Sequence, residues 1–300
     1  MFDRATALAG LAGRRFDVLV VGGGITGAGV ALDAASRGLR TALVERGDFA
    51  SGTSSASSKL VHGGLRYVSQ GHLGLVAQAL AERQRLLDNA PHVVRPLPFV
   101  LPLAASSSLG GAAAARSVGT ALWLYDLAGG ARIGQVHRRL SVDETRARVP
   151  ALRRDAFGRA YLYLDAHTDD ARLTLAVVRT AVLDHAAVAV NHANVTGLLR
   201  SRAGRVVGAR VGVDGREIEV RASVVVNATG VWSDHFGRLE YGEGRAATIR
   251  PAKGVHIMVH RSRLPASSAC EHSAGSRWRS TYLGTTGVST VVARVVRRLV

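Results

Sequence analysis

The chain changes its hydrophobic period several times, and each change predicts an element. Phe16 to Val21 is an unbroken apolar, β-branched run, the pattern of a strand buried on both faces. Ala28, Val30, Ala31 and Ala34 then recur at helical spacing, Gly38 stops that helix, and Thr41 to Val44 returns to strand. Leu73, Val76, Ala77, Leu80 and Leu87 predict an amphipathic helix over Leu73 to Asn89, ended before Pro91, with Glu82, Arg83 and Arg85 on its outer face. Four prolines between Pro91 and Pro102 enclose a short strand, Phe99 to Leu103, the expected crossing into a second domain. Ala104 to Gly119 is small-residue sequence of low complexity, and Trp123, Leu124 and Tyr125 form an apolar patch read as core in preference to a membrane contact. Thr168 or Asp169 is expected to cap a helix running to about Asp184. Val188 to Val190 suits a third parallel strand. Val195 to Arg200, Val206 to Val211 and Glu217 to Arg221 read as a meander with turns at Ala203-Gly204 and Asp214-Gly215, and a further strand, Val224 to Val226, leads into the small-residue turn Asn227 to Gly230.

Between the first strand and the first helix stand Gly22, Gly24 and Gly27, spaced G-x-G-x-x-G. Gly22 allows the tight turn, Gly24 lets backbone amides approach a pyrophosphate, and Gly27 lets helix and strand pack closely. Unpaired N–H groups and the positive end of the helix dipole stabilise an anion there without a side chain. Glu45 ends the second strand, 21 residues past Gly24, where a carboxylate accepts hydrogen bonds from both hydroxyls of an adenosine ribose. Strand, glycine turn, helix, strand and acid in this order predict a dinucleotide-binding βαβ unit.

Composition narrows the setting. With 300 residues, 47% of them hydrophobic, the chain is long enough for a sizeable core and one or two domains. The single cysteine, Cys270, excludes an internal disulfide framework and suits a reducing cytosol. Met1 to Arg15 mixes acidic and basic residues without an apolar segment, so no signal peptide is expected. The longest charge-free run, Pro96 to Ala115, is broken by three prolines and a serine cluster and is not a spanning helix. The net charge of +17 is scattered and forms neither stripe nor tail, so nucleic acid is not an expected partner. Of 39 basic residues only Lys59 and Lys253 are lysines, which marks two places where an ammonium is wanted and not a planar guanidinium.

Arg46 to Tyr67 has almost no apolar periodicity, yet its serines run directly into Lys59, His62, Arg66 and Tyr67, a dense set of phosphate-binding and proton-handling groups. The stretch SSASSKLVHGGLRY, Ser54 to Tyr67, closely resembles the signature that follows the first βαβ unit in FAD-dependent glycerol-3-phosphate dehydrogenases, flavoenzymes of the D-amino-acid-oxidase-like fold. YLYLDAHTDDARL, Tyr161 to Leu173, and RPAKGVHIMV, Arg250 to Val259, continue the resemblance. It implies an α/β fold: a Rossmann-like FAD-binding domain from 16–90 and 168–250, and an incomplete α+β substrate-binding domain from 91–167 and 251–300. It implies FAD as cofactor, held by Gly22, Gly24, Gly27 and Glu45 at the ADP half, by Thr53, Ser54, Ser58 and Lys59 at the pyrophosphate and flavin, and passed closely by Gly230. Arg66 and Tyr67, with His62, would hold the substrate phosphate. His256 is the candidate for taking the substrate hydroxyl proton, with Lys253 and Arg66 beside it in the catalytic set. No metal is implied.

The implied reaction oxidises sn-glycerol-3-phosphate to dihydroxyacetone phosphate and passes electrons to quinone or another acceptor at the membrane surface. The implied setting is cytoplasmic and peripheral to the inner face of the cell membrane, with a homodimer compatible. Other readings stay open: another flavin oxidase of the same fold, an NAD-dependent dehydrogenase, or a basic binding module. After about Val259 the sequence departs from the family pattern. His260 stands where members carry proline, Gly287 replaces an expected acid, and the last forty residues hold seven arginines against Glu271 alone. The resemblance is therefore expected to end there, in a truncated or frameshifted tail, and a non-functional fragment of such an enzyme is the remaining alternative.

Overall fold

In a computed structural model, the structure describes residues 3–68, 70–104, 109–154, 157–242, 244, 248–249, 255–260, 262, 267–274, 278–285 and 288–293. The chain opens with α1 (Arg4–Ala12), β1 (Arg15–Val21), α2 (Ile25–Ser36) and β2 (Thr41–Val44). There follow β3 (Leu60–Val61), α3 (Leu65–Val68), α4 (Leu73–Asn89), β4 (Val94–Ala104), α5 (Leu109–Leu127), β5 (Arg138–Leu140), α6 (Val142–Arg148) and β6 (Phe157–Thr168). Next come α7 (Asp170–Leu183), β7 (Val188–Val190), β8 (Ala193–Arg200), β9 (Val206–Val213), β10 (Arg216–Asn227) and α8 (Ser233–Tyr241). β11 (Val255–His260), β12 (Ala269–Ala274), β13 (Trp278–Thr285) and β14 (Val288–Ala293) complete the set. Two compact units result, Met1–Ser57 with Asp169–Pro251, and Ser58–Thr168 with Ala252–Val300. The first boundary falls at Ser57/Ser58, so residues 58–90, expected with the nucleotide unit, cluster with the second unit.

The first unit is built on a six-stranded sheet ordered β7-β2-β1-β10-β9-β8. β7, β2, β1 and the C-terminal half of β10 run parallel, as a doubly wound unit requires. Strand alternation explains the unbroken apolar run of β1. Leu19 and Val21 face a cluster with Ala42, Val44 and Val190, covered by Leu11 of α1 and by Val211 and Val220 of the meander. Val20 faces the other way with Leu43, against Ala28 and Ala31 of α2 and Val178 of α7. Asp169 caps α7, its side chain accepting a hydrogen bond from the Arg172 amide. Glu217–Arg221 and Val224–Val226, read as separate strands, form one strand of twelve residues, β10. Its first half pairs antiparallel with β9 and its second half parallel with β1, because both edges of the same backbone are used at different heights.

The second unit carries the sheet β11-β14-β13-β12-β4-β6-β3, with β5 paired to β6. β4 is eleven residues long and not the short strand expected between prolines. Pro96, Pro98 and Pro102 share one parity, so all three lack their N–H on the same edge, and the ladder to β6 runs from Val94 to Ala104. Leu97, Phe99, Tyr161 and Tyr163 face Val76 and Leu80 of α4 and Leu122 and Tyr125 of α5, with Phe99 stacked on Tyr163 at 5.3 Å between ring centroids. The low-complexity stretch after Ala104 contributes most of α5, a helix that small residues favour without giving a periodic signal. The Trp123–Tyr125 patch is divided by that helix: Tyr125 is core, whereas Trp123 and Leu124 are exposed. Arg83, placed on the outer face of α4 by its charge, is wholly buried.

Candidate functional site

The glycine turn is built as the spacing requires. Gly22 has φ +113°, and a Cβ there would stand 2.5 Å from the Ala228 carbonyl oxygen. Gly24 is the extended N-cap residue of α2. A Cβ on Gly27 would overlap the Gly22 carbonyl oxygen, so helix and turn approach to backbone contact. The Ile25 amide, one of the orphan donors of the first helical turn, donates to Ser54 Oγ at 2.9 Å. Ser54, 29 residues away, is thus brought to the helix N-terminus.

Glu45 ties the turn to the loop beyond β2. Its Oε2 accepts from the Gly23 amide at 2.6 Å and its Oε1 from the Gly47 amide at 2.8 Å. Each carboxylate oxygen keeps a second lone pair for a hydroxyl donor. Gly22, Gly24, Glu45, Thr53, Ser54 and Gly230 all line one cavity of about 790 Å³, closed on a further side by the start of β8. The 227–233 turn is held by its own polar groups: Asn227 Oδ1 accepts from Thr229 Oγ1 at 2.7 Å, and Gly230 takes φ +58°. Sequence reading missed Trp232 and Arg46 in this wall, where the guanidinium lies 4.2 Å from the indole centroid. The position of Trp232 two residues after Gly230 was the available signal.

The remaining expected site residues belong to the second unit. Lys59 adopts φ +56°, uncommon for a side-chain-bearing residue, and its carbonyl accepts from the Thr168 amide at 2.9 Å. It follows Ser58 and precedes β3, which pairs Leu60 with His167 of β6. His62 is exposed and Tyr67 half-buried; Arg66 lies within α3, and Gly64, with φ +75°, turns the chain into that helix. His256 lies in β11 opposite Val292 of β14. Lys253 is outside the described residues. Beneath this block is a polar set that sequence reading did not find: Arg83 Nη1 donates to Asp165 Oδ1 at 3.0 Å and to the Tyr125 hydroxyl at 2.9 Å. Burial pushes the Asp165 carboxyl up, opposed by the Arg83 guanidinium, and burial likewise pushes the Tyr125 phenol up. Arg83 lies three residues after Leu80 and seven after Val76, so its helical position, unlike its charge, marks it as inward-facing.

A doubly wound sheet with a glycine phosphate turn, a carboxylate closing the second strand and a small-residue turn opposite define a dinucleotide-dependent oxidoreductase class. Comparison with known proteins gives the family: the chain belongs to the FAD dependent oxidoreductase family, which it matches over residues 17–291. FAD is the cofactor of that family. The match runs past Val259, where the sequence reading had ended the resemblance. The glycerol-3-phosphate dehydrogenase of Mycobacterium leprae (strain TN) is 45% identical over 265 residues, covering 87% of this chain and 44% of that protein. An alpha-glycerophosphate oxidase of Streptococcus pyogenes serotype M1 is 37% identical over 296 residues, 94% of this chain and 48% of that protein. Among solved structures, the glycerol-3-phosphate dehydrogenase from Bacillus halodurans complexed with FAD superposes with a TM-score of 0.73 at 30% identity, covering 98% of this chain and 50% of that one. The chain thus spans about half the length of the curated relatives it matches.

Proposed function

We propose that this chain carries the FAD-binding unit and part of the substrate-binding unit of an sn-glycerol-3-phosphate dehydrogenase, which forms dihydroxyacetone phosphate. The observation that carries the reading is the 45% identity over 265 residues, 87% of this chain, to a protein of that name. The cavity fits the cofactor: Gly22 and Gly27 let the turn, α2 and the backbone at Ala228 approach to contact at its floor, and the positive N-terminal end of α2 begins beside it. In this reading those amides and the hydroxyls of Thr53 and Ser54 hold the pyrophosphate, and Glu45 accepts from the ribose hydroxyls. When bound, FAD supplies a two-electron acceptor for the carbon-bound hydrogen of an alcohol.

The second unit is assigned the substrate. Arg66 and Tyr67, with His62, bind its phosphate by charge-assisted hydrogen bonds. His256 takes the hydroxyl proton, Lys253, three residues earlier in the sequence, adds an ammonium, and Ser58 and Lys59 complete the cofactor contacts. In this reading the electrons pass to a quinone-class acceptor at the membrane surface, although the relatives include both proteins named dehydrogenases and proteins named oxidases. Among the described residues no helix is long and apolar enough to cross a membrane.

The test is reduction of an artificial dye by the FAD-loaded 300-residue chain with sn-glycerol-3-phosphate, with glycine and glycerol as controls and oxygen uptake followed in parallel. Dye reduction specific to the phosphorylated alcohol is expected. Flavin loading with equal response to glycine would overturn the substrate, and rapid oxygen uptake would overturn the acceptor.

A further inference from the structure

We propose that Asp165, held by Arg83 and Tyr125, is a positioning residue that sets the backbone of the His62-Gly63-Gly64 loop and through it the residues that grip the substrate phosphate. The inference rests on the assignment of Arg66, Tyr67 and His62 to that phosphate, and it deepens that reading.

Asp165 shares strand parity with Tyr161 and Tyr163, whose side chains face α4 and α5, so its carboxylate is directed under those helices and is 2% exposed. A carboxylate so placed requires a partner, and Arg83, 0% exposed, supplies it from α4. The carboxylate also receives the Gly63 amide, with Oδ1 at 3.0 Å and Oδ2 at 3.2 Å, across 102 residues of sequence. Gly63 is pressed against the same cluster. A Cβ there would overlap Leu80 Cδ2 and stand 2.5 Å from the Tyr125 hydroxyl. The next residue, Gly64, makes the left-handed turn into α3, and the Tyr67 amide donates back to the Gly64 carbonyl at 2.8 Å. A continuous path of bonds therefore runs from Asp165 through Gly63 and Gly64 to the helix that bears Arg66 and Tyr67. Arg83 also donates to the Leu164 carbonyl at 3.2 Å, which fixes the guanidinium to β6 as well as to the carboxylate. The role of the pair is thus geometric: it anchors a glycine-rich loop to the buried core of the unit, as preorganised sites require.

Two double variants separate positioning from mere stability. Arg83→Met with Asp165→Asn removes both charges but keeps an oxygen that accepts the Gly63 amide. Arg83→Met with Asp165→Leu removes both charges and the acceptor. The FAD-loaded chain is titrated calorimetrically with sn-glycerol-3-phosphate, and flavin content is measured beside it. The Asn double is expected to bind within about threefold of wild type and the Leu double about 10- to 100-fold more weakly at equal flavin content, the scale of one lost charge-assisted contact. Equal affinity of the two doubles overturns the proposal. Amide exchange in the unmodified chain tests it without any variant: slow exchange at Gly63 is expected, and exchange at the rate of an open loop overturns it. A wild-type chain that takes up FAD but shows no heat with sn-glycerol-3-phosphate fails the substrate assignment itself, before any variant is compared.

Discussion

Gly27→Ala and Gly29→Ala place the same methyl group on the same helix, two residues apart, and are expected to change stability in opposite directions. At Gly27 the Cβ would overlap the Gly22 carbonyl oxygen and lie 3.0 Å from its carbon and 3.3 Å from the Ala228 Cβ. Carbon atoms pack best at about 3.5–4.0 Å, and the obstacle is backbone, so α2 itself must retreat. Its retreat would open the contacts of Ala28 and Ala31 with Val20, Leu43 and Val178, all buried. Overpacking costs about 1–3 kcal/mol even where side chains give way, so a value near the upper end, about 3 kcal/mol, is expected here. At Gly29 a Cβ meets nothing within 4 Å. There the helix gains the ordinary advantage of alanine over glycine, about 0.5–1 kcal/mol. With a conversion of about 2–4 °C per kcal/mol, Gly27→Ala should melt about 6–12 °C below wild type and Gly29→Ala about 1–4 °C above it. Gly24→Ala is the third member of the series. Its Cβ would lie 3.0 Å from Ser54 Oγ, a side-chain atom that can rotate away, so melting should move little while FAD retention on gel filtration falls sharply. Differential scanning calorimetry of the three proteins decides the matter. A Gly27→Ala chain melting within 2 °C of wild type, on the order of 1 kcal/mol or less, would refute the backbone-contact argument.

Glu45 should favour an adenosine with a free 2′-hydroxyl, because a 2′-phosphate would face its carboxylate; equal competition by the phosphorylated and unphosphorylated nucleotides for the apo chain would remove Glu45 from the ribose. Trp232 lines the cofactor cavity, so FAD binding should quench tryptophan fluorescence in the wild type and clearly less in Trp232→Phe; equal quenching in both would place the indole away from the cofactor. Asp17 receives the Arg40 guanidinium and the Arg40 amide, which hold its carboxyl down at about 2. A depressed carboxyl stabilises the fold above its unfolded value near 3.8 and loses that contribution as pH falls from about 4 towards 2. Asp17→Asn should therefore melt lower than wild type at pH 7, with the difference vanishing across that acid window in calorimetric melts; a difference constant down to pH 2 would contradict the ion pair.

The nucleotide unit was legible because its determinants are local. Three glycines, a two-faced apolar strand and an acid at the next strand end lie within thirty residues, and each acts through the backbone of its neighbours. Legibility failed where partners were remote or composition masked geometry. The prolines of β4 read as breaks because parity against a partner strand is invisible without the partner. The junction at Ala222-Ser223 interrupted the apolar pattern of β10 although the backbone runs straight through it, changing partners instead of direction. Arg83 was assigned outward by charge when its spacing from Val76 and Leu80 placed it inward, and its acidic partner, Asp165, lies 82 residues on. Ser54 was expected at the pyrophosphate from resemblance; its bond to the Ile25 amide, at the N-terminus of α2, could not be read from positions 29 residues apart.

The position of β10 between β1 and β9 has a consequence for synthesis. β1, α2 and β2 leave the ribosome early, but the strand that seals the open edge of β1 lies about 200 residues downstream. At translation rates of about 5–20 residues per second, the nascent chain carries that edge unpaired for roughly 10–40 seconds. The edge, Val18 to Val20, is apolar and β-branched in large part, the kind of surface that recruits foreign strands. The Gly22 turn packs against the Ala228 backbone, so the glycine turn reaches its final packing only after the same delay. Slowing translation ahead of codon 216 should therefore lower the soluble yield instead of raising it, and co-expressing a holdase chaperone should restore it.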